Sequence, residues 1–309
     1  MYSVFGKIFQ EIKKLKVLLL VIVSFSSVNA QELEPRALTN LPLKTNFLIG
    51  AYGYARGNIL MDSSLPIDDY YGQIHTTILA YARAVNFFGK SGKVDLVVPF
   101  GYGYWSGTYL GDYKTAFSSG LGDIRIRATI NFTGAPALTA EEFKNYQQIT
   151  VSGLSVQLII PTGSYDSNQL PNLGSNRWTL RTTYGISHTF DRWIVEGYVG
   201  VWLYTDNKNY LGDHNFSQPP FLVAKTHLTR LFNKGRWLAF DLGYGYGGEA
   251  IVDYNKNEVL LSGMKLGFTF ALPLNIHHSL KFTAVTGLRF EQGGDFDIFG
   301  VAYLYRWNK

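Results

Sequence analysis

Between Arg177 and Ile186 the chain changes character at every residue. Trp178, Leu180, Thr182, Tyr184 and Ile186 fall on one side of an extended backbone. Arg177, Thr179, Arg181 and Thr183 fall on the other. A strand built this way has one face for hydrocarbon and one for water, so it belongs between the two. The pattern recurs in about twelve segments, and that repetition limits the fold more than any other feature.

The segments are 44–57, 70–88, 93–105, 121–133, 148–161, 176–190, 192–205, 219–233, 236–248, 258–271, 278–290 and 296–307. In 121–133, Ile124, Ile126, Ala128, Ile130 and Phe132 alternate with Arg125, Arg127, Thr129 and Asn131. Pro99 lies inside 93–105 and predicts a bulge or local break, because proline cannot donate to a ladder. A soluble sandwich with its arginines in bulk water would show the same local alternation. Connection lengths separate the two architectures. Those after odd strands are long and polar: 58–69, 106–120, 162–175, 206–218 and 249–257. Those after even strands are mostly tight, except 134–147, where Thr139 to Glu142 reads as a capping box on a short helix. Short turns at one end and long loops at the other, with an even strand count, are the rule of outer-membrane barrels. The expected fold is therefore all-β, a transmembrane antiparallel barrel of about 12 strands.

Composition agrees. Aromatic residues make up 16% of the 309 residues and charged residues 17%, against roughly 25% charged in soluble proteins. After residue 30 no apolar run approaches the ~20 residues of a membrane helix. Aromatics near strand ends (Tyr52, Tyr54, Trp105, Trp178, Trp193, Trp237 and Trp307) are expected to form interfacial girdles. The absence of cysteine excludes disulfides, thiolate catalysis and cysteine-ligated metals.

Residues 1–30 read as a cleaved secretory signal. Lys13, Lys14 and Lys16 precede the apolar run Val17 to Val23, and Val28-Asn29-Ala30 forms a small-residue cleavage site. The leader holds four lysines and one glutamate, so only +2 of the formal +5 charge remains on the mature chain. That is no basis for nucleic-acid binding. Residues 31–43 read as a short periplasmic lead and 44–309 as the barrel. The last strand, with Gly300, Tyr303, Tyr305 and Trp307, is similar to the signal read by the outer-membrane insertion machinery, although Asn308 and Lys309 follow its final aromatic.

The stretch Pro161-Thr-Gly-Ser-Tyr-Asp, then Asn172-Leu-Gly-Ser-Asn-Arg-Trp178, with Gly185-Ile-Ser-His188 beyond, resembles the outer-membrane proteins grouped under the MetA pathway of phenol degradation. The resemblance runs from about residue 40 to the C-terminus. It implies a barrel associated with uptake or catabolism of small hydrophobic or aromatic compounds, and it implies no enzyme.

The inward faces carry Arg125, Arg127, Arg177, Arg181, Lys225, His227, Lys265, Lys281 and Arg289, against the acids Asp95, Glu196 and Asp241. One reading is a basic-lined pore favouring anions such as aromatic or fatty carboxylates. The other is a filled lumen in which the charges pair and hold the barrel shut. Ser164, Tyr165, Asp166, Asn172 and Asn176 belong to the loop between the fifth and sixth strands, which is either a gate or a surface turn closed by its own side chains. Its oxygens do not follow EF-hand spacing, and the six histidines show no metal-site spacing. Neither GxSxG nor HExxH occurs. No catalytic residue, metal or cofactor is expected, and a hydrolase embedded in the barrel is the remote alternative. The function expected is passive passage of a small solute across an outer membrane of the Gram-negative type. A non-conducting structural or surface-binding barrel stands against it.

Overall fold

The computed structural model describes residues 33–58, 67–256, 261–288 and 296–308. The strands among them are β1 (Thr45–Gly57), β2 (Ile67–Phe87), β3 (Lys90–Tyr109), β4 (Asp112–Leu121), β5 (Ile124–Thr133), β6 (Thr150–Ile160), β7 (Thr179–Phe190), β8 (Trp193–Tyr204), β9 (Asn207–Tyr210), β10 (His214–Ser217), β11 (Phe221–Leu231), β12 (Trp237–Gly247), β13 (Ile251–Val252), β14 (Asn255–Lys256), β15 (Leu261–Pro273), β16 (His278–Leu288) and β17 (Phe296–Asn308). All pairings are antiparallel. The ladder runs through the large sheet and closes where β1 pairs with β17, Thr45 opposite Asn308 through Gly57 opposite Phe296. Closure satisfies the strand backbones within the wall, which lipid demands of any spanning structure.

The wall has twelve staves, because β4 and β5 are two halves of one. Both pair with β3: β5 from Gly92 to Val97, and β4 from Phe100 to Tyr109. The break falls at Gly122 and Asp123, opposite Pro99. The proline expected to disturb its own strand instead interrupts its neighbour. β3 stays in register with β2 through Pro99, and the Gly122 N–H bridges the gap to the Pro99 carbonyl.

Outward faces are apolar and exposed, as at Leu180, Tyr184, Val199, Leu222, Phe240, Phe268, Phe282 and Phe299. The tight turns, the 134–149 connection, the start of β1 and the end of β17 lie at one end, and the other long connections among the described residues lie at the opposite end. The segment 106–120, read as a polar loop, is instead the hairpin of β3 and β4. β3 alone has 20 residues. At about 3.3 Å per residue it outruns the ~25 Å apolar band of such barrels. The hairpin therefore stands beyond the rim at the loop end, and β4 is mostly exposed on both faces.

Two aromatics expected in the girdles face inward. Trp105 is 3% exposed and its ring lies across Gly103, where a Cβ would come within 2.4 Å of it. Trp237 meets the Arg36 guanidinium inside the wall. At the turn end, Thr139 and Glu142 form the expected capping box. The Thr139 N–H donates to Glu142 Oε2 at 2.8 Å and the Glu142 N–H to Thr139 Oγ1 at 3.3 Å, on a single 3-10 turn (Glu142–Asn145).

Residues 33–43, expected as a lead outside the wall, pack inside it. Leu38 is 1% exposed and clusters with Ala135, Val151 and Tyr198. Asn40 is fixed at the turn end, its N–H on Gln148 Oε1 at 2.8 Å and its Nδ2 on the Pro136 carbonyl at 3.1 Å. From there the chain turns into β1.

Candidate functional site

Among the described residues two cavities along the lumen bear on function. The outer one, at the loop end, has a volume of about 440 Å³ and is walled by β7, β8 and the break in the fourth stave. Period-two alternation turns Arg125, Thr179, Arg181, Trp202 and Tyr204 into it. Arg177, at the mouth of β7, lies with its guanidinium carbon 4.4 Å from the centre of the Tyr204 ring and 4.9 Å from that of Phe216. Its Nη2 donates to Gln218 Oε1 at 2.5 Å. Arg181 lies 3.9 Å over Trp202, with its Nη1 reaching Gln157 Oε1 at 3.5 Å. Stacking on rings holds the planar cations against the wall. The cavity is thus basic and aromatic at once, with Leu173 and Ile159 adding apolar surface.

The loop from 161 to 178 is pinned to this cavity by the buried carboxylate of Asp123 at the stave break. Asp123 Oδ1 accepts the Gly163 N–H at 2.9 Å. Its Oδ2 accepts the Ser175 N–H at 2.9 Å and the Ser175 hydroxyl at 2.5 Å. Both ends of the loop therefore hang on one side chain. Where they cross, a Cβ on Gly163 would meet the Gly174 Cα at 2.6 Å, so the crossing demands glycine at both positions. The tip is tied to β9: Tyr165 donates to the Asn209 carbonyl at 2.9 Å, and Asn176 donates to Asn207 Oδ1 at 2.8 Å. Inside the tip, Asn172 accepts the Asp166 N–H at 2.8 Å.

The second cavity is smaller, about 50 Å³, and lies at mid-barrel. That is room for one to a few waters. Arg181 and Trp202 line it as well as the outer cavity, so the pair is a shared partition. Its other side is the N-terminal segment. Glu34 Oε2 accepts from Arg127 Nη1 at 2.5 Å, and Glu34 Oε1 lies 3.8 Å from Lys93. Burial pushes the Glu34 carboxyl up, but the charges of Arg127, Lys93 and Lys281 outweigh it and hold the group well below its ordinary value. Arg127 is held from behind by Asp95, whose two oxygens accept from its Nε at 3.1 and 3.0 Å. The Arg36 N–H donates to Glu196 Oε2 at 2.6 Å, and Tyr198 donates to Glu196 Oε1 at 2.9 Å.

Facing the same small cavity is His227, 1% exposed. Its Nδ1 is 2.7 Å from Asp241 Oδ1, and Thr269 donates to Asp241 Oδ2 at 2.9 Å. Asp241 and Thr269 fix the ring and leave Nε2 buried without a hydrogen-bond partner. Among the described residues no serine hydroxyl is hydrogen-bonded to this histidine.

The family model described as "Putative MetA-pathway of phenol degradation" matches residues 50–294 of this chain. The chain belongs to that family. Among solved structures, the COG4313 outer membrane channel from Pseudomonas putida F1 is similar with a TM-score of 0.75 at 19% identity. The match covers 89% of this chain and 100% of that one. The transport unit of the autotransporter AIDA-I from Escherichia coli is similar with a TM-score of 0.53 at 9% identity, over 90% and 93% of the two chains. At these identities the likeness is one of fold. No curated protein matches the chain.

In this MetA-pathway family barrel the inward residues named from the sequence fall into separate groups. Arg125, Arg177 and Arg181 face the outer cavity. Arg127, Arg181, Lys225 and His227 face the small one. Glu196 and Asp241 are taken up by buried partners. Lys265 is buried, its Nζ 4.5 Å from the centre of the Phe296 ring. Lys281 contributes through its charge on Glu34. Arg289 lies outside the described residues. Of the loop, Leu173, Ser175 and Arg177 line the outer cavity, whereas Ser164, Tyr165, Asp166, Asn172 and Asn176 hold the loop's shape. Sequence reasoning missed Glu34, Asp123, Trp202 and Gln218. Asp123 carried a faint signal, as an acid in a Gly-Asp pair between two alternating runs.

Proposed function

We propose that the chain is a passive outer-membrane channel for small hydrophobic or aromatic compounds. The observation that carries this reading is the hollow, basic and aromatic cavity of about 440 Å³ inside a closed wall with an apolar exterior. Membership of the MetA-pathway family supports it. So does the likeness in fold to a barrel described as an outer membrane channel. On this reading residues 1–30 are removed on export, the turn end faces the periplasm, and the loops face outward. The basic residues give the passage a preference for anions.

The test is conductance of the folded barrel in planar bilayers, together with solute uptake into liposomes. A barrel that never conducts and admits no solute overturns the reading. One observation favours a second reading, a closed barrel: the N-terminal segment fills the lumen below the partition. Removing residues 31–43 separates the two. A channel gains conductance on truncation, and a structural barrel stays silent.

A further inference from the structure

The segment that blocks the lower lumen is held there by a carboxylate. Glu34 reaches the edge of Arg127 that faces the small cavity, the opposite edge being bound by Asp95. Lys93 stands 3.8 Å away on β3. Lys225 and Arg181 line the same cavity, and so does the unpartnered Nε2 of His227. Cations from several staves thus gather around a carboxylate that is carried on a terminal strap rather than on the wall.

The strap closes the only side of this cavity that is not wall or partition among the described residues. Its other attachments are the Arg36 N–H on Glu196, the Arg36 guanidinium 5.4 Å from the Trp237 ring centre, the apolar seat of Leu38 with its carbonyl 3.5 Å from Asn131 Nδ2, and the two hydrogen bonds of Asn40 at the turn end. Across the partition, the outer cavity has the volume for a small organic acid. The small cavity, at about 50 Å³, does not. An acid passing Arg181 meets the cations that hold Glu34, and it gains room only if Glu34 leaves.

We infer that the mid-lumen cluster of Arg127, Lys93 and Lys281 is a binding site for organic monocarboxylates, that Glu34 occupies it as an internal ligand, and that an entering carboxylate displaces Glu34 and frees the lower lumen. The inference rests on the channel reading and assigns to that channel both a substrate class and a means of opening. A tethered ligand has an effective concentration on the order of millimolar, so free carboxylate competes in the millimolar range.

The chain has no cysteine, so a single A37C thiol reports the strap, Ala37 lining the small cavity. The folded mature barrel is exposed to a membrane-impermeant maleimide with sodium benzoate, or with benzyl alcohol as the uncharged counterpart. The expected result is a several-fold faster labelling with benzoate, saturating in the millimolar range, and no change with benzyl alcohol. In A37C combined with Glu34→Gln, labelling is fast from the start and indifferent to benzoate. The displaced strap leaves Arg127 still paired with Asp95, so the variant barrel is expected to fold, as heat-modifiable gel migration checks. A labelling rate unaffected by benzoate and by Glu34→Gln overturns the inference. Conductance of the same proteins separates it from the channel reading. Labelling that responds in a barrel that never conducts supports the carboxylate site and overturns the channel.

Discussion

The Arg181 guanidinium lies 3.9 Å from the centre of the Trp202 ring, and the stacked pair belongs to both cavities of the lumen. One residue comes from β7 and the other from β8, directly opposite each other in register. The partition is therefore built from adjacent staves. Arg181→Ala removes the charge that faces both cavities. The expected outcome is a larger conductance and a reversal potential shifted toward cations under a salt gradient. Trp202→Ala widens the passage but keeps the charge, so conductance rises with selectivity nearly unchanged. Loss of the stack costs roughly 0.5–2 kcal/mol.

Asp123 binds both ends of the 161–178 loop through three hydrogen bonds. Bonds to a charged group contribute about 1.5–3 kcal/mol each. Asp123→Ala is expected to release the loop while leaving the wall closed. Limited proteolysis of the folded barrel would show new cleavage within 161–178, with unchanged heat-modifiable migration. Cleavage equal to that of the wild type would remove Asp123 as the anchor.

His227 and Asp241 are a buried pair, 1% and 0% exposed at the side chain. Removing one partner of such a pair costs about 3–5 kcal/mol, because the other is left buried and unpaired. Asp241→Leu is expected to lower the thermal unfolding temperature of the detergent-folded barrel strongly. Replacing both residues with apolar ones restores much of the loss. A double variant as unstable as the single one would show that the pair's worth lies elsewhere.

Glu34 has its carboxyl held below the ordinary glutamate value by Arg127, Lys93 and Lys281, against the opposing effect of burial. A carboxyl depressed in the folded state stabilises the docked form fully above its free value and loses that stabilisation as pH falls through the depressed one. Protection of the Arg36 amide against hydrogen exchange is therefore expected to hold from neutral pH down through the ordinary glutamate range and to fall only below it. Protection lost already near neutral pH would exclude Glu34 as the group responsible.

The wall was legible because its code is local. One strand's alternation decides its faces, and turn lengths decide its parity. What escaped notice has other causes. Glu34 meets Arg127 across 93 positions and the Arg36 amide meets Glu196 across 160, and a segment of a dozen residues without periodicity carries no trace of either. β4 reads as a loop because its Gly, Ser, Thr and Lys suit a hairpin in water as well as they suit no structure. Trp105 reads as a girdle residue until Gly103 is seen beneath its ring. Pro99 reads as a bulge or break in its own strand, whereas β3 runs on through it and the break falls in the neighbouring stave, where the proline's missing donor is felt.

The fourth stave, the eighth strand and the penultimate one supply Arg127, Glu196 and Lys281 from different sectors of the barrel's circumference. No partly built sheet brings those three groups together around one segment. The strap's full set of contacts therefore needs all three sectors of the wall in place together. A fully seated strap thus reports a wall whose distant sectors have come together.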